Sequence, residues 1–222
     1  MARVLSLCGV ILAAGESSRM GRNKALLPWP APSTSGSGTF LSAAINAFAA
    51  YNDMVIVVAG KYAAEIASVV YANGGFLVEN PAPDRGQFSS LQVGLHEVLN
   101  RGRDAAMVTL VDRPPVRSTT IEQLLEAFEQ ATRGSKWAVV PQYGERHGHP
   151  FLVARDMIEA FLKAPPSATA REVEHKHQDK IQYVPVDDGN VILNVDTPAD
   201  YEALKQSLAP LADQKPKDRL LR

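Results

Sequence analysis

The sequence predicts an α/β domain, a single mostly parallel, twisted sheet with helices on both faces. Apolar, β-rich runs alternate with helical patterns along most of the 222 residues, and such alternation builds parallel sheets covered by crossover helices. The first run, Val4 to Leu12, is largely apolar and leads straight into a glycine-containing loop, as a strand buried on both faces does. With 45% hydrophobic residues at this length the chain can enclose one large core and is short for two. One domain is therefore expected over residues 1–209, followed by a flexible tail at 210–222.

The elements follow in order. Val4 to Leu12 has a competing reading, because Arg3, the apolar stretch to Ala14 and the small residues beyond it imitate a secretory signal. The residues that follow decide for a strand. Pro28 to Gly38, rich in Pro, Ser and Gly, reads as a surface loop that is either a lid or a connector. Further strands are expected at Met54–Ala59, Gly75–Val78, Ala105–Val111, Lys136–Pro141 and Phe151–Val153. Helices are expected at Thr39–Ala50, Ala63–Ala72, Ser89–Asn100, Thr119–Arg133 and Arg155–Lys163. Thr169 to Gln178 reads as an exposed charged helix rather than a site, and Asp213 to Arg222 as a frayed tail. There is no internal repeat. In such a sheet ligands gather at the carboxyl ends of the strands, so chemistry is sought just after each apolar run.

Charge and composition exclude several classes of partner. Lys and Arg number 23 against 24 Asp and Glu, so no basic excess points to a nucleic-acid backbone or an anionic membrane. No apolar run approaches the roughly 18 residues that a membrane span needs. The lone Cys8 cannot form an internal disulfide or, by itself, a zinc site; it is expected in the core of a protein from a reducing, cytoplasmic compartment.

The most informative loop is Leu12-Ala13-Ala14-Gly15-Glu16-Ser17-Ser18-Arg19-Met20-Gly21-Arg22-Asn23-Lys24. Small residues at Ala13, Ala14 and Gly15 let backbone amides approach a ligand, while Arg19 and Lys24 can neutralise a triphosphate. The loop lacks the Gly-x-Gly-x-x-Gly of dinucleotide folds and the Gly-Lys-Ser/Thr ending of a P-loop. Its plain alternative is a strand-to-helix turn with two solvated cations.

This loop resembles the hallmark Leu-Ala-Ala-Gly-x-Ser-x-Arg-Met-Gly-x-x-Lys of the nucleotidyltransferases of molybdenum cofactor maturation, especially the cytidylyltransferases; the chain matches every fixed position from Leu12 to Lys24. Asn80-Pro81, Gly86, Ser89-Ser90 and Gly94-Leu95 resemble the segment that borders the base in that family. Gly148-His149-Pro150 resembles the strand start beside its acceptor pocket, and Asn194 to Asp200 its closing Asp-Thr-Pro segment. The likeness runs from about Val4 to Leu204 and implies a single-domain, Rossmann-like nucleotidyltransferase fold.

The resemblance also implies roles. Leu12, Ala13, Ala14, Gly15, Asn80, Gly86, Ser89 and Ser90 would bind the nucleotide, Arg19 and Lys24 its triphosphate. Asp112, after the strand that ends at Val111, and Asp196 would hold Mg²⁺, which needs only one or two carboxylates beside phosphate oxygens. Arg19, Lys24 and Asp112 would be catalytic, and His149 would lie on the acceptor side, where the default for a lone histidine is a packed or hydrogen-bonding residue. The plain alternatives are a turn-initiating aspartate at 112 and a helix cap at 196; Asp200 reads as structural. The expected reaction joins CMP from CTP to the terminal phosphate of molybdopterin and releases pyrophosphate, with transient contact to a molybdoenzyme or its chaperone. Arg113, Asn194 and Glu145-Arg146-His147 depart from the family pattern on the acceptor side. They leave open a sugar 1-phosphate or another phosphorylated acceptor. A rival of a different class is a catalytically silent nucleotide-binding or cofactor-delivery module.

Overall fold

The computed structural model describes residues 6–29 and 38–208. In chain order the elements are β1 (Leu7–Ala13), β2 (Pro28–Trp29), β3 (Gly38–Thr39), α1 (Phe40–Ala49), β4 (Met54–Ala59), α2 (Ala63–Ala72) and β5 (Phe76–Glu79). There follow α3 (Gln87–Asn100), β6 (Ala105–Leu110), α4 (Ser118–Arg133), β7 (Ala138–Tyr143), β8 (Arg146–His147), β9 (Phe151–Ala154) and α5 (Arg155–Lys163). α6 (Ala170–Lys176), β10 (Ile181–Pro185) and α7 (Pro198–Leu208) complete the strands and α-helices among the described residues. The expected start of the first strand at Val4, the interior of the Pro28–Gly38 loop and the tail at 210–222 lie outside the described residues.

The main sheet has the order β10-β7-β9-β6-β1-β4-β5, with β8 paired to β7. β1 pairs in parallel with β4 and β6, and β4 with β5. β9 is antiparallel to both β6 and β7, so β7 and its parallel partner β10 run in the same direction as β1. The carboxyl ends of β1, β4, β5, β6, β7 and β10 consequently share one edge of the sheet with the amino end of β9. That geometry brings the loop after β1, the turn after β6 and Gly148-His149-Pro150 to the same place. The order reverses at β1, because the chain builds outward through β4 and β5 and then crosses back through α3 to β6; this switch is where α/β sheets open a crevice.

Alternation along β1 divides the core. Cys8, Val10 and Leu12 face α3, α5 and α6, whereas Ile11 and Ala13 face α1, α2 and α4. Gly94 lets α3 lie close on the sheet: a Cβ there would come within 2.7 Å of Val10 Cγ1 and 3.0 Å of Val58 Cγ2. Cys8 is fully buried, and burial pushes its thiol up to about 12, which makes it an inert core residue. A third cluster gathers Met20, Leu27, Trp29, Phe40, Val195, Tyr201 and Leu204, and so packs α7 against the segment that follows the β1 loop.

Helix starts are set by capping. Thr39 opens α1 through a reciprocal box with Ser42, and Thr169 opens α6 through one with Glu172. The charged segment expected at Thr169–Gln178 is thus a helix of seven residues with Val173 buried against the core. β8 and β10 were not among the expected strands. Ile181 and Val184 are buried in β10, but the run is short, is interrupted by Gln182, and gains its strand geometry from pairing with β7.

Candidate active site

The loop after β1 is anchored at three points. Met20 sinks into the cluster with Trp29, Phe40 and Tyr201, Gly21 turns the chain at φ 71°, and Ser17 Oγ accepts the Lys24 amide at 3.2 Å. Asn23 caps the turn at Lys24–Leu26 by accepting the Ala25 amide at 3.1 Å. These contacts explain the Arg-Met-Gly-x-x-Lys spacing: an apolar anchor and a positive-φ glycine leave Arg19 on the surface and turn Lys24 inward.

Lys24 is 8% exposed, and its Nζ lies 3.2 Å from Asp112 Oδ2 and 2.7 Å from Asp196 Oδ1. Arg19 Nη2 reaches the same Asp196 oxygen at 3.1 Å, and Asn194 Nδ2 donates to the other at 3.0 Å. The hydrogen bond from Lys24 holds the Asp196 carboxyl below its ordinary value. Asp112 follows β6 by two residues, and its backbone carbonyl accepts the Val195 amide at 2.9 Å, which brings the segment before Asp196 alongside. Asp196 does not cap α7. Thr197 occupies that position and exchanges hydrogen bonds with Asp200, whose carboxylate also accepts the Asp196 amide at 3.0 Å. The side chain of Asp196 is therefore free to face Lys24.

Asp112 Oδ1 is buried and has no hydrogen-bond partner. An orphaned carboxylate oxygen beside a second aspartate fits a hard divalent cation, whose other positions phosphate oxygens and water would fill. Asp112 and Asp196 are the residues that could hold it. Among the described residues no cluster of three or more His, Cys, Asp or Glu forms an all-protein metal cage.

A cleft of about 360 Å³ opens beside this cluster, lined by Leu12, Ala14, Gly15, Lys24, Gly86, Ser90 and Asp112 among the sequence-predicted residues. Ala13 turns its methyl into the core instead. Asn80 and Ser89 stand behind the wall. The Asn80 amide donates to Ser89 Oγ at 2.8 Å and Ser90 Oγ at 3.0 Å while its oxygen accepts the Ala82 amide at 2.9 Å, fixing the turn that presents Gly86 at φ 88°. Glu16, Ser17, Lys61, Pro83, Asp84, Gln87, Leu110 and Val111 also line the cleft and were missed as site residues. Lys61 follows β4 by two residues, so the carboxyl-end rule could have found it; Gly60 before it lets the chain pass Ala14, whose carbonyl a Cβ at 60 would meet at 2.7 Å.

His149 lies outside the cleft lining, beside Arg113. Its backbone amide donates to the Val191 carbonyl at 2.8 Å, and Arg113 Nη1 donates to the same oxygen at 3.1 Å. Gly148 permits this contact, since a Cβ there would stand 2.2 Å from that carbonyl oxygen. Burial, aided by the Arg113 charge, pushes the His149 imidazole down to about 3. It is neutral at physiological pH and packs edge-on against Phe151 at 5.3 Å. His147 stacks at 4.0 Å on Tyr183, and His177 lies 5.2 Å from Trp137, both outside the cleft.

The family model described as MobA-like NTP transferase domain matches residues 9–182. A probable molybdenum cofactor guanylyltransferase of Mycobacterium avium is 28% identical over 211 residues, covering 94% of this chain and all of that protein. The molybdenum cofactor cytidylyltransferase of Escherichia coli K12 is 26% identical over 201 residues, 89% of this chain and 94% of that protein. Among solved structures, Rv0371c from Mycobacterium tuberculosis H37Rv superposes with a TM-score of 0.74 at 27% identity, covering 91% of this chain and 100% of that one. The same protein has been solved in complex with manganese, with a TM-score of 0.70 at 26% identity and the same coverage.

Proposed function

The chain belongs to the MobA-like NTP transferase family, and from that premise we propose that it transfers CMP from CTP to the terminal phosphate of molybdopterin and releases pyrophosphate. The observation that carries this reading is Lys24 Nζ within 3.2 Å of Asp112 and 2.7 Å of Asp196, at the end of a small-residue loop lining a cleft. An oxygen of the acceptor phosphate bonds to the α-phosphorus as the bond to the α–β bridging oxygen breaks, and the electron pair leaves with pyrophosphate. The acceptor phosphate is already anionic, so no base is required; alignment and charge stabilisation supply the rate. Lys24 and Arg19 face the triphosphate and offset its growing charge. Mg²⁺ held by Asp112 and Asp196 would add Lewis-acid neutralisation of the phosphate oxygens.

The choice of CTP rests on Ala14, which lines the cleft beside Gly15. Cytidylyltransferases that the loop resembles carry Ala-Ala-Gly there and guanylyl relatives usually Ala-Gly-Gly; the extra methyl narrows the space beside the base and favours a pyrimidine. GTP is the second reading, favoured by the name of the mycobacterial relative. The test is pyrophosphate release over four nucleotides crossed with molybdopterin and a panel of sugar 1-phosphates. The highest kcat/KM is expected for CTP with molybdopterin. Equal use of CTP and GTP removes the cytidylyl assignment, preference for another acceptor removes molybdopterin, and no release with any pair returns the silent-module reading.

A further inference from the structure

We propose that Arg113 binds the phosphate of the acceptor and selects for a phosphorylated one, a role that rests on the transferase reading above. Buried polar atoms without a partner are rare in folded proteins, and each calls for a partner that the protein does not supply. Among the described residues five side-chain atoms are of this kind, and three of them belong to neighbouring groups: Asp112 Oδ1, Arg113 Nε and His149 Nδ1. The Val191 carbonyl ties the last two together, accepting from His149 N at 2.8 Å and Arg113 Nη1 at 3.1 Å. The carbonyl is itself fixed. Asp188 caps its turn by accepting the Asn190 amide at 3.1 Å, and Asn190 Nδ2 donates to Pro115 O at 3.2 Å.

The charges around this point suit an anion distinct from the nucleotide. Lys24 and Arg19 converge on Asp196, and neither Arg113 nor His149 lines the nucleotide cleft. Arg113 has one nitrogen committed to a carbonyl and holds a buried Nε–H ready for an acceptor oxygen. The charge of Arg146 reaches Arg113 and, with it, opposes the repulsion that Asp112 and Asp196 exert on an incoming anion. His149 is neutral and adds a single hydrogen-bonding nitrogen rather than a charge. A guanidinium with a free N–H beside a neutral imidazole matches a phosphate monoester, which offers several strong acceptor oxygens.

The test uses the full chain and Arg113→Met, which keeps an unbranched apolar stem and removes the guanidinium, with Arg113→Lys restoring charge without the planar fork. In turnover with CTP and molybdopterin, Arg113→Met should raise the acceptor KM on the order of 10- to 100-fold with the KM for CTP unchanged, and Arg113→Lys should recover part of the loss. A packing role would instead shift both KM values and Tm together. In a second arm, inorganic phosphate is titrated into the wild-type chain holding a non-hydrolysable CTP analogue, and the Arg113 Nε–H resonance is followed by NMR. Phosphate should shift it. If molybdopterin is not turned over yet phosphate moves this resonance, the acceptor assignment fails and the anion subsite stands. If molybdopterin is turned over, the acceptor KM of Arg113→Met is unchanged and phosphate moves nothing, the subsite is overturned while the transferase reading stands.

Discussion

Two lysines reach into the same cleft and each meets a carboxylate, yet their surroundings differ. The Lys24 side chain is 10% exposed and bridges Asp112 and Asp196, whereas that of Lys61 is 50% exposed and pairs with Glu16, itself 56% exposed. Around Lys24 the charges are positioned before any ligand arrives, and removal of one leaves the others stranded in a poorly hydrated place. Around Lys61 water screens the pair, so the side chain is expected to exchange Glu16 for an incoming phosphate at little cost. Chemistry is expected to depend on the first pair and capture of the nucleotide on the second.

The comparison is broken most directly at the carboxylates. Asp112→Asn and Asp196→Asn should each lower kcat on the order of a thousandfold while circular dichroism and Tm show a folded protein, because an amide neither balances nor binds a divalent cation well. Wild-type turnover in either variant removes that residue from the metal site. Lys24→Ala and Arg19→Ala come next, with a loss of roughly 2 to 4 kcal/mol in kcat/KM where the charge is desolvated against phosphate. Lys24 should sit at the upper end, since Arg19 is the more exposed of the two. Equal and small losses would mean that burial does not distinguish them.

Two smaller effects sharpen the contrast. CTP should be preferred over GTP by about 2 to 3 kcal/mol, and Ala14→Gly should shrink that ratio without altering Tm, as read from kcat/KM with one acceptor. Lys61→Ala should change the KM for CTP by about fivefold or less, with kcat intact and an effect that fades as salt rises. A fall in kcat comparable with that of Lys24→Ala would move Lys61 into the catalytic group.

What the sequence revealed follows the same division between local and assembled features. Leu12 to Lys24 is contiguous, and the Gly21 turn and the Ser17 and Asn23 hydrogen bonds lie within it, although the Met20 anchor is completed by Phe40 and Tyr201 from far along the chain. Asp112 was found by its place after an apolar strand. Asn80 and Ser89 were named as ligand contacts, but only the packing of α3 shows that they support the wall and that Ser90 faces the cleft. Lys61 stands two residues after β4, where the carboxyl-end rule points, whereas nothing local marks Asp84; the pairing of β4 and β5 brings their loops together. The antiparallel direction of β9 was equally invisible, since Phe151-Leu-Val reads alike in either orientation. That direction is what brings His149 to the sheet edge that carries Asp112.

The bridge from Lys24 to Asp196 spans 172 positions of the chain. A chain growing from the ribosome can pair β1 with β4 and then β6, and bury most of its core, long before Asp196 exists. Until then Lys24 has Asp112 alone as a counter-charge, and the centre is half assembled. Closing a loop of this length carries an entropic cost that local contacts cannot offset early in folding. On the roles proposed for Lys24 and Asp196, the charge cluster is therefore completed last in synthesis, after most of the sheet has paired.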